Sequence, residues 1–348
     1  MEIFVPSLLR IKPNAMHKLG KYLRGEGFGK IALFYGEGLK PMFHPVVEVS
    51  LASSEIRVAY EGTATSNDIE AIFQESLLMP QKLDAIVAIG GGKVIDCCKY
   101  LAHIRQTPLV SVPTLISNDG FASPFSSLVV KGARRTVKTL IPHAVILDTD
   151  IVRKAPEAFH YSGIGDLFCK FTSVFDWKLA FKKRGEPVND FASTICRNAA
   201  DTFYYYPDKN PQNLDFQRVV ASSLLMAGIA MEIAGSSRPA SGSEHLISHA
   251  YDKLAAKPSL HGLQVGVASY AVSHVQGETF EPVRHSIEDS GFLAFLEQHP
   301  LCRAEFVEAI KFAPNVKEDF YTILSERGAM EKLLAFVDED PWMKRMLA

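Results

Sequence analysis

"LDAIVAIGGGKVIDCCKYLAHI", residues 83–104, decides the fold. An apolar run ends at Gly90, Gly91 and Gly92 and passes at Lys93 into a stretch with amphipathic helical spacing, which reads as a strand, a tight turn and a helix. Such a turn brings glycine N–H groups and a helix N-terminus to one point, an arrangement that suits a diphosphate. The spacing is GGGxxxD, closed by Asp96, and so is neither the GxGxxG dinucleotide fingerprint nor a P-loop. A glycine turn that merely joins strand to helix is the plain alternative.

Working outward, "KIALFYGEG" (30–38), "EIRVAYEG" (55–62) and "PLVSVPT" (108–114) read as further strands. "SNDIEAIFQESL" (66–77) reads as a helix opened by capping residues. Strand and helix alternate, which predicts a parallel sheet covered on both faces, with ligands at the C-terminal ends of its strands. After "HAVILDTDIVRKAP" (143–156) the texture changes to long helical patterns such as "DLFCKFTSVFDWKLAFKK" (166–183) and "FQRVVASSLLMAGIAMEIAG" (216–235). The expectation is therefore a Rossmann-like α/β domain over 1–155 and an all-α domain over 156–348, with the active site in the cleft between them. The short polar patch "GSSRPASGSE" (235–244) falls between two helices and is a candidate binding loop.

Composition narrows the classes of function. The 348 residues are 47% hydrophobic and 22% charged, and 37 basic against 39 acidic side chains leave a formal charge of −2. That balance gives no electrostatic footprint for nucleic acid or an anionic membrane, so a small-molecule substrate is expected. No window reaches the roughly 18 apolar residues of a membrane span, and the N-terminal segment lacks the pattern of a signal peptide. Five cysteines, at 97, 98, 169, 196 and 302, form no paired CxxC units, which fits reduced thiols in the cytoplasm.

Candidate chemistry gathers at four places. In "VPTLISNDGFASP" (112–124), Asn118, Asp119 and Gly120 form a turn at a strand end, where Asp119 could meet substrate or nicotinamide; an Asx turn that only reverses the chain explains the same residues. In "GIGDLFCK" (163–170), Asp166 follows a glycine at an expected helix start, where N-capping is the competing explanation. His245 and His249 stand four apart in "EHLISH", and His261 precedes a glycine in "HGLQVG". Two imidazoles and a carboxylate with open positions left over is a set used by catalytic zinc or ferrous iron. Yet HxxxH lacks the glutamate of HExxH, and paired histidines on a helix also serve as ordinary core or surface residues.

Taken in order, GGGKVID, PTxxSNDGxASP, DTDIV, GIGDLxxKxTxxxDW, SSRPASGSEHLISHA, HGLQVGV and "APNVKEDFYTIL" resemble the sn-glycerol-1-phosphate dehydrogenases. These belong with the iron-containing (group III) alcohol dehydrogenases, glycerol dehydrogenase and dehydroquinate synthase, and the resemblance runs from about residue 30 to about 325. It implies a dehydroquinate synthase-like fold and a metal held by Asp166, His245 and His261, with zinc first and iron or nickel as alternatives. It implies that His249 lies near the substrate without ligating, and that Gly90, Gly91, Gly92 and Lys93 receive the diphosphate of NAD or NADP. Asp96, Thr114, Ser117 and Ser123 are expected along the same cofactor, and Asp119 and His249 are the expected catalytic side chains. The family's frequent histidine before the aspartate is here Asn118, which bears on the choice of substrate.

Glu37, after the first strand of "KIALFYGEG", is placed to hydrogen-bond the adenosine ribose and so favours NAD, with NADP kept open. For a substrate phosphate, Arg238 beside Ser236, Ser237, Ser241 and Ser243 is the first candidate and Lys170, one turn after Asp166, the second; an Arg238 paired with a neighbouring acid is the structural alternative. The implied reaction is reversible hydride transfer between NAD(P)H and dihydroxyacetone phosphate, giving sn-glycerol 1-phosphate. A dehydrogenase of an unphosphorylated polyol such as glycerol, a dehydroquinate synthase-type cyclase and a non-catalytic sugar-phosphate-binding protein are the alternatives. The resemblance also implies a homo-oligomer, as dimers are common among relatives.

Overall fold

The computed structural model describes residues 3–348. The chain divides into two compact units, one running to Ala155 and the other from Pro156 to Ala348. In the first unit, β1 (Leu8–Lys12), α1 (Leu19–Gly25), β2 (Lys30–Gly36), α2 (Lys40–Ala52), β3 (Arg57–Ala64), α3 (Ile69–Leu78), β4 (Ala85–Gly90), α4 (Gly92–Arg105) and β5 (Leu109–Pro113) follow one another. A hairpin, β6 (Phe125–Val130) and β7 (Ala133–Lys138), then β8 (Ala144–Asp148) and the short α5 (Thr149–Val152) complete it.

Six strands form one parallel sheet in the order β1-β8-β5-β4-β2-β3. Every residue of β4, β5 and β8 is buried, which is why these segments read as continuous apolar runs rather than alternating ones. Ile31, Leu33, Val87, Ile89 and Val112 join α1 and α2 side chains in a single core cluster. Ala32, Phe34, Ile86 and Ala88, the alternate residues, are equally inaccessible, so both faces are covered. β3 lies on one side of β2 and β4 on the other, so the direction of sheet growth reverses between them. Ligands in open α/β sheets bind at that reversal, beyond the strand ends.

Two parts of this unit differ from the sequence reading. β1 is a five-residue edge strand with three partly exposed positions, too short and mixed to stand out. The β6–β7 hairpin turns at Lys131 and Gly132, with φ of 50° and 75°, the left-handed pair a two-residue hairpin requires, but β7 is nearly all exposed and so carries no apolar pattern.

The second unit consists of α6 (Glu157–Arg184), α7 (Asp190–Tyr204), α8 (Leu214–Ala234), α9 (Ser243–Leu254), α10 (His261–Gln276), α11 (Phe280–Asp289), α12 (Phe292–Gln298), α13 (Arg303–Phe312), α14 (Ala329–Glu339) and α15 (Pro341–Met346), with short 3-10 turns between α8 and α9 and between α13 and α14. Among the described residues α8 alone is long and apolar enough by composition to cross a membrane, against the expectation of no such window. Two thirds of its apolar window is buried inside the protein, as suits a core helix.

The contact between α6 and α10 depends on glycine. A Cβ at Gly262 would lie 1.8 Å from the Ser162 carbonyl oxygen, and one at Gly165 would lie 2.2 Å from the Gly262 carbonyl oxygen. The two backbones touch at glycines, and Gly165 and Gly262 are the chain neighbours of the candidate ligands Asp166 and His261.

Candidate functional site

In the first unit the glycine turn has the geometry expected of an anion site. Gly90 has φ of 149°, and a Cβ there would lie 2.6 Å from Val94 Cγ1, so the position requires glycine. Gly91, at the N-cap of α4, provides no side-chain cap, and a Cβ on Gly92 would meet nothing within 4 Å. The first N–H groups of α4 are therefore uncapped by any side chain, in open space, at the positive end of the helix dipole. Lys93 Nζ lies 3.7 Å from Glu37 Oε2, both well exposed, beside this turn. Thr114 donates its backbone N–H to the Gly90 carbonyl at 3.0 Å.

Other expected cofactor residues hold the turn in place. Asp96 accepts from the Ser127 N–H at 3.1 Å and pairs with Lys99 at 2.8 Å. Lys99, fully buried, also donates to the carbonyls of Gly120 (2.8 Å) and Phe125, tying α4 to the segment after β5. Ser123 is buried and turns its hydroxyl toward the Phe125 carbonyl at 3.2 Å. The Asx turn is made by Asn118, whose side chain accepts from Gly120 N–H at 2.8 Å, while Asp119 heads the following 3-10 turn and Ser117 precedes it, both partly exposed. Lys99 escaped the sequence reading because a lone lysine on an amphipathic helix looks like a solvated one.

In the second unit Asp166, His245 and His261 come together. Each offers a ligand atom, and the three atoms lie within 4.8 Å of one another. Asp166 sits inside α6 rather than at a helix start, which removes the N-cap explanation. Its Oδ1 is 3.8 Å from His245 Nε2, and its Oδ2 is 3.2 Å from Lys170 Nζ. The rings of His245, His249 and His261 form a triangle with centroids 5.0–6.1 Å apart. Two carboxylates, Asp166 and Glu244, face a single ammonium, Lys170, so the pocket carries an excess of negative charge to match a divalent cation. Two imidazole nitrogens and one carboxylate oxygen fit zinc or ferrous iron.

A second cluster, Cys169, Glu244 and His245, shares one histidine with the first. There His245 Nδ1 already meets Glu244 Oε1 at 3.0 Å, and the Cys169 thiol donates to the carbonyls of Asp166 (3.0 Å) and Ala240 (3.4 Å), as expected of a packed thiol. Glu244 thus orients His245 from behind, a role the sequence reading missed because a glutamate at a helix start also reads as a dipole partner.

Three expectations for the substrate phosphate need correction, and the surroundings of His249 set its protonation state. Burial, and then the charges of His261 and His245, push the pKa of His249 down to about 3, so the ring is neutral at physiological pH. Arg238 is buried, with its guanidinium bidentate on Glu186 (one contact 2.6 Å), donating to the Tyr321 carbonyl at 2.8 Å and stacked 3.5 Å over Phe320. In the serine-rich loop Ser243 is likewise committed, giving both its N–H (2.7 Å) and its hydroxyl (2.6 Å) to Asp176. Lys170 is fully buried against Asp166. Lys317, which the sequence reading passed over, lies 3.9 Å over Phe320 and contributes to the field on His249.

The architecture is shared with solved structures: glycerol dehydrogenase from Schizosaccharomyces pombe matches with a TM-score of 0.79 at 17% identity, covering 99% of this chain and 92% of that one. Residues 10–156 match the family model described as iron-containing alcohol dehydrogenase, which defines the class of the fold. The glycerol-1-phosphate dehydrogenase [NAD(P)+] of Methanosphaera stadtmanae is 36% identical over 81% of each chain, and that of Aeropyrum pernix 31% identical over 94% of each. The chain belongs to this glycerol-1-phosphate dehydrogenase family.

Proposed function

We propose that this protein reduces dihydroxyacetone phosphate to sn-glycerol 1-phosphate with NADH or NADPH, using a divalent metal, zinc in preference to iron or nickel. The convergence of Asp166, His245 and His261 within 4.8 Å carries the reading, together with family membership. The metal, when bound, supplies Lewis-acid polarisation of the substrate carbonyl, and the nicotinamide supplies the hydride. Asp166, His245 and His261 hold that metal. Gly91, Gly92 and the start of α4 offer N–H groups to the cofactor diphosphate, with Lys93 beside them. His249, being neutral, can accept a proton at one ring nitrogen as it releases one from the other.

The phosphate needs a cation. Arg238 and Lys170 are engaged with Glu186 and Asp166, and the lysine whose charge bears on His249 is Lys317. Desolvation, and then the charge of Arg238, lower its pKa. We assign the phosphate to Lys317. Engagement of the two other cations is also the one observation that favours an unphosphorylated polyol as substrate. Metal analysis and NAD(P)H oxidation with dihydroxyacetone phosphate, dihydroxyacetone and glycerol, run with NADH and NADPH in parallel, separate the two. Stoichiometric metal, with kcat/KM highest for the phosphorylated ketone and its KM raised about tenfold (~1.4 kcal/mol) in Lys317→Met, is the expected result. Equal rates with dihydroxyacetone would transfer the assignment to the polyol.

A further inference from the structure

The two histidine ligands are held by different chemistry. Behind His245 stands a carboxylate, Glu244, with Oε1 at 3.0 Å from Nδ1. Beside His261 Nδ1 stands a hydroxyl, Ser248 Oγ, at 3.1 Å. A serine hydroxyl can donate to a ring nitrogen or accept from it, so this contact alone leaves the tautomer open. What stands behind the serine closes it.

Ser248 Oγ is 2.7 Å from Gln264 Oε1, an atom that only accepts. The amide cannot be reversed without cost, because Gln264 Nε2 donates to Asp252 Oδ1 at 2.9 Å and to the Ser259 carbonyl at 2.8 Å. Turning it over would set its oxygen against two acceptors. The serine proton is therefore directed at Gln264, and the serine oxygen can only accept from His261. Nδ1 carries the hydrogen, and Nε2 keeps its lone pair for a metal. Ser248 and Gln264 are completely buried, so no solvent competes for these bonds.

We propose that Gln264, acting through Ser248, is a positioning residue that locks His261 in the Nδ1–H tautomer and so sets the affinity of the site for a divalent cation. This rests on reading Asp166, His245 and His261 as a metal site. The groups that reach His261, Ser248 and Gln264, are neutral, whereas Glu244 sets a carboxylate directly against His245. One ligand is thereby made more basic, and the other is fixed in orientation with no change in the charge of the site.

The test uses the full-length protein stripped of metal by a chelator. Nitrogen-15 NMR of the imidazole rings, with His261 assigned by its loss in His261→Gln, reports the tautomer without any metal. Zinc affinity is measured by competition with a chromophoric chelator in wild type, Gln264→Met, Ser248→Ala and the double variant. Wild type should show Nδ1–H at His261. Gln264→Met frees the serine proton to turn toward the ring, and should move the signal toward Nε2–H while weakening zinc binding about tenfold or more. In the Ser248→Ala background the same substitution should leave the tautomer unmoved.

A wild-type ring protonated on Nε2 overturns the proposal, and needs only the His261→Gln protein for its assignment. So does an equal loss of zinc affinity from Gln264→Met with and without Ser248, since that would mean a purely structural effect. Wild type that shows Nδ1–H at His261 yet binds no zinc would defeat the metal reading while leaving the relay standing.

Discussion

α4 and α9 both begin after a glycine-containing polar turn, "GGGK" and "SGSE", and both read in sequence as places for an anion. The structure treats them in opposite ways. α4 starts with no side-chain cap and with open space around Gly92. α9 starts against the protein's own carboxylates: Asp176 takes the Ser243 N–H and Glu244 the Gly242 N–H at 2.6 Å, both in the interior. A helix N-terminus attracts negative charge whatever its source. The first is left for a ligand; the second is filled from within and positions the helix that carries His245.

Substitutions that add bulk separate the two termini. Gly242→Ala would set a Cβ 2.8 Å from Asp176 Oδ2 and 2.9 Å from Glu244 Oε2, so the carboxylates must move. Overpacking of this kind costs about 1–3 kcal/mol, and urea denaturation should show a loss in that range together with weaker metal retention. Unchanged stability would mean that α9 is not closed in this way.

The filled terminus also has a pH signature. Burial first, and the neighbouring Glu244 second, raise the Asp176 pKa to about 7, against 3.8 for the ordinary group. A raised folded-state value means that the contribution is fully present below about pH 4 and is lost as pH climbs through 7. Glu244, raised by burial to about 6, acts with the same sign. In metal-free protein, the difference in unfolding free energy between wild type and Asp176→Asn should therefore shift against wild type between pH 4 and 8, by up to about 4 kcal/mol. A pH-independent difference would show that Asp176 does not titrate there.

Gly92→Ala has the smallest effect on stability. With nothing within 4 Å of the added carbon, the melting temperature should hold or rise slightly, since alanine is up to about 1 kcal/mol better than glycine in a helix. NAD(P)H affinity, read by fluorescence titration, should fall by about tenfold (~1.4 kcal/mol) if this terminus receives the diphosphate. A fold intact and a cofactor affinity unchanged would remove the cofactor from α4.

Much of the first unit was legible because its central strands are apolar throughout and its helices are amphipathic, so type and order follow from local pattern. The hairpin at residues 125–138 was not: β7 is exposed, and its pairing lies in backbone hydrogen bonds that leave no trace in hydropathy. Asp166, His245 and His261 were legible as candidates because carboxylate and imidazole in those motifs are conspicuous. Their partners were not. Glu244, Ser248, Gln264 and Lys99 are ordinary polar residues of helices until a neighbouring element shows which atom each one faces. Arg238 misled in the opposite sense, because the loop that carries it gives no sign that Glu186, 52 residues earlier, takes its charge.

Sequence alone determined the residue types able to ligate a metal, the glycines that leave backbone donors bare, and the order of strands and helices, because these follow from side-chain chemistry and from periodicity along the chain. Tertiary structure decided which helix start is open and which is closed, which cation is committed, and which nitrogen of His261 meets Ser248. Those depend on distances between groups far apart in the chain, and hydrogen-bond direction and desolvation are set by such distances rather than by residue identity.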